Sequence, residues 1–166
     1  MTADVTETTW QNPPAVRRQQ ILRGTRTVAM LGASPNSARA SNFVATYLLS
    51  SSDYEVWFVN PNATEILGRQ VYRSLADLPG VPDLVDVFRR QSDLPAVLDD
   101  VLAVGGVRTF WLQFGLYDGD VARRAEAGGL EVVMDRCLKV EHARFHGGLH
   151  LAGFATGVIS ARRRPR

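Results

Sequence analysis

Three groups of residues in this chain are of types and spacings that could do chemistry. The first is Gly32-Ala33-Ser34-Pro35-Asn36, followed by Arg39 and Ser41. A glycine directly after an apolar run lets the backbone turn tightly enough for free N–H groups to face an anion. Ser34, Asn36 and Ser41 are residue types that cap helix N-termini, where unpaired donors and the positive end of the helix dipole attract a pyrophosphate. The stretch Thr27–Asn42 therefore predicts a phosphate cradle for a nucleotide-type ligand. The second group is Cys137 with Arg136 and Lys139 beside it. Those cations could lower the thiolate pKa and let the sulfur form a mixed disulfide with a thiol ligand, although a lone cysteine more often serves as a small buried hydrophobe. The third is His142, His146 and His150, whose spacing would stack three imidazoles on a continuous helix. Gly147-Gly148 interrupts that helix, so no metal site is expected.

Several chemistries lack their residues. After Gly32 the second and third glycines of G-x-G-x-x-G are missing, and Asn60-Pro61-Asn62 stands where an NAD site would place an acidic residue against the ribose. There is no G-x-x-x-x-G-K-[ST] loop for triphosphate hydrolysis and no G-x-S-x-G elbow for a serine nucleophile. Asp83, Asp86, Asp99 and Asp100 read as capping and solvated charges.

The frame for these residues is set by size. A chain of 166 residues with 45% hydrophobic content fits one domain with a core large enough to fold without disulfides or metal. No apolar run approaches the ~20 residues needed to cross a bilayer, and the amino terminus has no apolar h-region, so a cytoplasmic protein without membrane partners is expected. Net charge is +2, but Arg162, Arg163, Arg164 and Arg166 supply the excess and the rest is slightly acidic. With no aromatic interleaving of a basic surface, no nucleic-acid partner is expected.

The elements that must position the site alternate regularly. A short helix over Ala15–Arg23, introduced by Asn12 as N-cap before Pro13-Pro14, precedes a strand at Thr27–Leu31. Then come a helix at Asn42–Ser51, a strand at Tyr54–Val59, a loop with an extended piece at Gln70–Tyr72, and a strand at Leu84–Phe88. Helix Leu94–Val104, strand Thr109–Leu112, helix Asp118–Ala127 and strand Glu131–Met134 follow, with Gly105-Gly106 and Gly128-Gly129 as helix stops. This predicts a Rossmann-like, doubly wound parallel sheet of about five strands in three α/β/α layers. Its strands would bring their carboxyl ends to one edge, carrying Gly32–Asn36, Asn60–Asn62, Phe88–Arg90, Gln113–Gly115 and Asp135–Cys137.

The segments V-A-M-L-G-A-S-P-N, V-N-P-N with E-I-L-G, D-L-V-D-V-F-R-R, W-L-Q-F-G and V-V-M-D-R-C-L-K-V-E-H together resemble the small stand-alone CoA-binding domain proteins. These are similar to the nucleotide-binding domain of the succinyl-CoA synthetase alpha subunit. The resemblance spans roughly Thr25–Arg144 and implies coenzyme A or an acyl-CoA as ligand. It places the pyrophosphate on Gly32, Ala33, Ser34 and the following helix, and Asn60 and Pro61 beside the ribose phosphate or adenine. Val87, Phe88 and Arg89 would flank the adenine, and Gln113 and Gly115 the pantetheine. Arg39, Arg89 and Arg90 are available to meet the phosphates by bidentate hydrogen bonds. The synthetase reaction needs a phosphorylated histidine from a further domain and a partner subunit, for which 166 residues leave no room, so a non-catalytic sensor or carrier is expected.

The alternatives are an NAD(P)-dependent oxidoreductase and an adaptor subunit with a decayed nucleotide site. Residues 1–24 read as an extension, 25–145 as the ligand domain, and 146–166 as an apolar segment with a basic tail. The apolar run Leu149–Ala161 makes a homo-oligomer plausible.

Overall fold

The computed structural model of the chain describes residues 8–146. The run Leu149–Ala161, His150 and the arginine tail lie outside them.

The elements are α1 (Ala15–Gly24), β1 (Thr27–Leu31), α2 (Ala40–Ser51), β2 (Glu55–Val59), β3 (Glu65–Ile66), β4 (Arg69–Tyr72), β5 (Leu84–Val87), α3 (Leu94–Val104), β6 (Thr109–Leu112), α4 (Gly119–Ala127), β7 (Glu131–Val133) and α5 (Leu138–His146). They form one sheet in the order β3-β4-β2-β1-β5-β6-β7, parallel throughout except for the antiparallel pair β3–β4. The Rossmann-like class is as expected, but the sheet has seven strands rather than about five. Both additional strands come from the segment after β2. Leu67 and Gly68 have φ of 49° and 74°, a two-residue turn with both backbones left-handed, which folds β3 back on β4. The extended piece at Gln70–Tyr72 thereby becomes a parallel neighbour of β2, with Val59 opposite Tyr72.

The central strands of the sheet are buried on both faces. Val28, Met30, Leu84, Trp111 and Val133 point toward α1, α2 and α5, while Ala29, Val85, Val87, Phe110 and Leu112 meet α3 and α4. Strands covered on both sides must be apolar at nearly every position, which is why β5 and β6 have no exposed residue. Strand order reverses between β1 and β5, so the crevice of this open sheet lies where Leu31 and Val87 end their pairing.

Residues before β1 are tied to the body. Ile21 and Leu22 of α1 enter the core, and Arg18 reaches buried Glu141 of α5 at 3.1 Å. Asn12 does not cap α1, whose N-cap position is Pro14 with no side-chain bond. Its amide instead donates to the Met134 carbonyl and accepts from the Met134 N–H, both at 2.7 Å, in the manner of a neighbouring strand.

Candidate functional site

The loop after β1 is built around Gly32. Its φ is +88°, and an added Cβ would lie 2.3 Å from the Phe88 carbonyl oxygen, so both the turn and the approach of the β5 backbone require glycine here. Gly32 donates to the Val59 carbonyl at 2.9 Å, and Phe88 donates to the Leu31 carbonyl at 2.8 Å, which clamps the loop from both neighbouring strands.

Beyond the glycine the chain folds on its own side chains. Ser34 N–H donates to the Ser41 hydroxyl at 3.0 Å, Asn36 N–H to the Ser34 hydroxyl at 3.1 Å, and Ala38 N–H to the Asn36 carboxamide oxygen at 2.9 Å. The expected capping roles are thus redistributed. Arg39 holds the N-cap position of α2 without a side-chain bond, and Ser34, Asn36 and Ser41 order the loop instead. The N–H groups of Ala33, Ala40 and Ser41 have no hydrogen-bond partner among the described residues. Those of Ala40 and Ser41 lie at the start of α2 and border the smaller cavity described below, where unpaired donors and the positive end of the helix dipole together attract anions.

Two cavities open on either side of this loop. The larger, about 690 Å³, lies toward α3 and has an apolar wall including Leu31, Val59, Leu75, Val97 and Val104. Its polar groups include Arg73, Ser74, Arg89 and Asp100. The smaller, about 410 Å³, is bordered by Ser34, Arg39, Ser41, Phe88, Gln113 and exposed Phe114. Gly32 and Arg89 line both. The two cavities therefore adjoin at the Gly32 loop and together form a trough long enough for an elongated ligand.

The far wall is held by side chains that bridge loops. Gln113 is buried and its amide oxygen accepts from the Leu138 N–H at 3.3 Å, at the start of α5. The Asp135 carboxylate accepts from the Gly115 N–H at 2.7 Å, and both residues have positive φ, 55° and 89°. The turns after β6 and β7 are thus joined by a hydrogen bond.

Of the residues singled out by sequence, Gly32, Ser34, Arg39, Ser41, Phe88, Arg89, Gln113 and Gly115 line the cavities, as does Pro61. Ala33 is buried and turns its backbone into the loop, and Pro35 is exposed outside both cavities. Val87 is wholly buried against α3, beneath rather than in the trough. Asn60 spends both ends of its carboxamide on the protein, donating to the Ala33 carbonyl at 2.8 Å and accepting from the Asn62 N–H at 2.8 Å. Cys137 is half-buried against the α1–α2–α5 face and borders neither cavity. His142 is buried, with Nδ1 2.8 Å from the Tyr47 hydroxyl, away from the trough. Sequence reasoning missed Arg73 and Ser74. Reading Gln70–Tyr72 as a parallel strand beside β2 would have delivered them to the same edge.

Asp86 departs from its expected role as a solvated or capping charge. It faces the α1–α2–α5 side between Met30 and Trp111, is fully buried, and neither carboxylate oxygen has a hydrogen-bond partner among the described residues. Burial pushes its pKa well up, favouring the uncharged acid. Asp83 behaves oppositely. Partial desolvation raises its pKa, but the N–H groups of Arg26 and Thr27 and the Arg108 guanidinium outweigh this and hold it below the ordinary carboxylate value.

Comparison with known proteins agrees with this geometry. The profile of the CoA binding domain family matches residues 26–143. The uncharacterized protein YneT of Bacillus subtilis is 35% identical over 133 residues, which cover 80% of this chain and 97% of that protein. A solved structure from Thermus thermophilus is 35% identical, with a TM-score of 0.74, over 80% of this chain and 98% of its own. A hypothetical protein from Pyrococcus horikoshii OT3 is 30% identical, with a TM-score of 0.72, over 81% of this chain and 97% of its own. A matched segment that includes every strand of the sheet and the whole cradle loop places this chain in the CoA binding domain family.

Proposed function

We propose that this chain is a cytoplasmic binding protein that holds coenzyme A or an acyl-CoA along its carboxyl edge and does not itself transform it. The observation that carries this reading is the junction at Gly32 and Arg89, where an apolar cavity adjoins a smaller one lined by Ala40 and Ser41, whose N–H groups at the start of α2 are unpaired among the described residues. Coenzyme A has the matching order of parts: an aromatic base, a pyrophosphate, and a long flexible arm ending in a thiol. The apolar wall toward α3 suits the base, the cradle the pyrophosphate, and the smaller cavity past Gln113 and Phe114 the arm. Among the described residues, no histidine or cysteine lines the trough, and its Ser74 hydroxyl donates to the exposed Asp77 carboxylate at 2.9 Å, an arrangement without a histidine base that favours a carrier or sensor role.

Isothermal titration of the purified chain with CoA, acetyl-CoA, NAD and NADP under reducing conditions tests the reading. Micromolar binding of CoA or acetyl-CoA without NAD is the expected result. Binding of NAD alone would move the chain to redox chemistry, and silence from all four would favour an adaptor with a decayed site. Incubation with acetyl-CoA followed by assay of free thiol checks the non-catalytic part, and steady release of thiol would overturn it.

A further inference from the structure

Resting on that reading of the trough, we propose that Arg73 is the receptor for a phosphate monoester carried on the ribose of the bound nucleotide. In open α/β sheets the ribose of a nucleotide lies beyond the end of the strand next to the glycine loop, here β2. The residue at that position, Asn60, is held by Ala33 and Asn62, which leaves its neutral carboxamide one N–H and one lone pair but no charge to meet a phosphate. A cation for a phosphate on the ribose comes instead from the adjacent strand. Asn60 N–H donates to the Tyr72 carbonyl at 2.9 Å, so the residue after Tyr72 emerges beside Asn60 on the same edge, and that residue is Arg73.

The charge is available. Arg73 lines the larger cavity and makes no hydrogen bond or ion pair among the described residues, whereas Arg89 of the same cavity has Asp93 at 3.8 Å. The acid that lines this cavity, Asp100, stands across it on α3, and the end of β2 carries Asn60-Pro61-Asn62 and no acidic side chain to accept ribose hydroxyls. A guanidinium there, with its planar fork of donors, matches a phosphate dianion better than a hydroxyl pair. Arg39 and Arg73 thus give each cavity one arginine unpaired among the described residues, Arg39 at the cradle and Arg73 at the ribose end.

This chemistry is offered by the 3′-phosphate of CoA and by the 2′-phosphate of NADP. The test therefore titrates wild type and Arg73→Ala with four ligands: CoA, 3′-dephospho-CoA, NADP and NAD. Wild type is expected to favour CoA over dephospho-CoA by about 10- to 100-fold, and the variant to lose that preference while holding dephospho-CoA within about twofold. The preference should also shrink as salt is raised, because Arg73 is exposed. Equal binding of CoA and dephospho-CoA by wild type, or equal weakening of both by the substitution, would overturn the role of Arg73 while leaving the CoA site standing. A wild-type preference for NADP over NAD without any CoA binding, abolished in Arg73→Ala, would uphold Arg73 and overturn the CoA reading. An unchanged melting temperature of the variant separates these results from misfolding, and silence from all four ligands overturns both.

Discussion

The carbonyl oxygen of Phe88 occupies the space where a side chain at Gly32 would begin, 2.3 Å from an ideal Cβ. The turn that opens the anion cradle and the contact that joins β1 to β5 at the reversal of strand order are therefore one feature. A substitution there acts on stability and on binding together.

Gly32→Ala is expected to lower the stability of the fold by at least the ~1–3 kcal/mol of a left-handed non-glycine residue, because the clash with backbone adds to the strained φ. CoA affinity should fall with it. Urea denaturation followed by circular dichroism measures the first, and a midpoint equal to wild type would show that the β5 backbone gives way freely.

Asp86 makes stability depend on pH with a defined sign. Its folded-state pKa is raised, so its stabilising effect is full below the ordinary carboxyl value and is lost as pH rises through the folded value. Asp83, with its lowered pKa, contributes above the ordinary value and fades as pH falls through the folded one. Asp86→Asn keeps the shape and should flatten the decline that begins above the ordinary carboxyl value. Asp86→Leu should raise stability at neutral pH by roughly 1–3 kcal/mol, the cost of an unsatisfied buried polar group. Melting temperature across pH decides both, and a wild-type curve that rises with pH through neutrality would contradict the assignment.

Arg89 borders both cavities and is held only loosely by Asp93 at 3.8 Å. Arg89→Ala should weaken CoA by about tenfold or more, with a smaller effect at high salt, as a charge-assisted bond to phosphate is lost. Calorimetric titration at two ionic strengths reports it. An unchanged affinity would place the pyrophosphate on the N–H groups alone.

Asn12→Ala removes both bonds to Met134 and should loosen residues 8–14 from the edge of β7. A loss of about 1–3 kcal/mol is expected from two hydrogen bonds. Hydrogen exchange should show faster exchange at Met134, and protection equal to wild type would mean that packing of Trp10 on Tyr117 suffices to hold the segment.

Most of the scaffold was legible in the sequence because its signals are local. The apolar run ending in Gly32, the glycines after α3 and α4, and the alternation of strands and helices each depend on neighbours within a turn or two. Local periodicity thus determined the Rossmann-like class and the edge that carries Gly32, Phe88, Arg89, Gln113 and Gly115. The strand count was not legible, because the turn at Leu67-Gly68 requires a left-handed leucine, a conformation that residue type does not announce. Only tertiary structure decided that Asn12 pairs with Met134 across 122 positions, that Asp86 is sealed between Met30 and Trp111, and that Tyr72 lies beside Asn60 and so brings Arg73 to the trough. Each of these depends on which strands become neighbours. Strand pairing is set by the burial of whole faces and the path of the crossovers, quantities that no short stretch of residues contains.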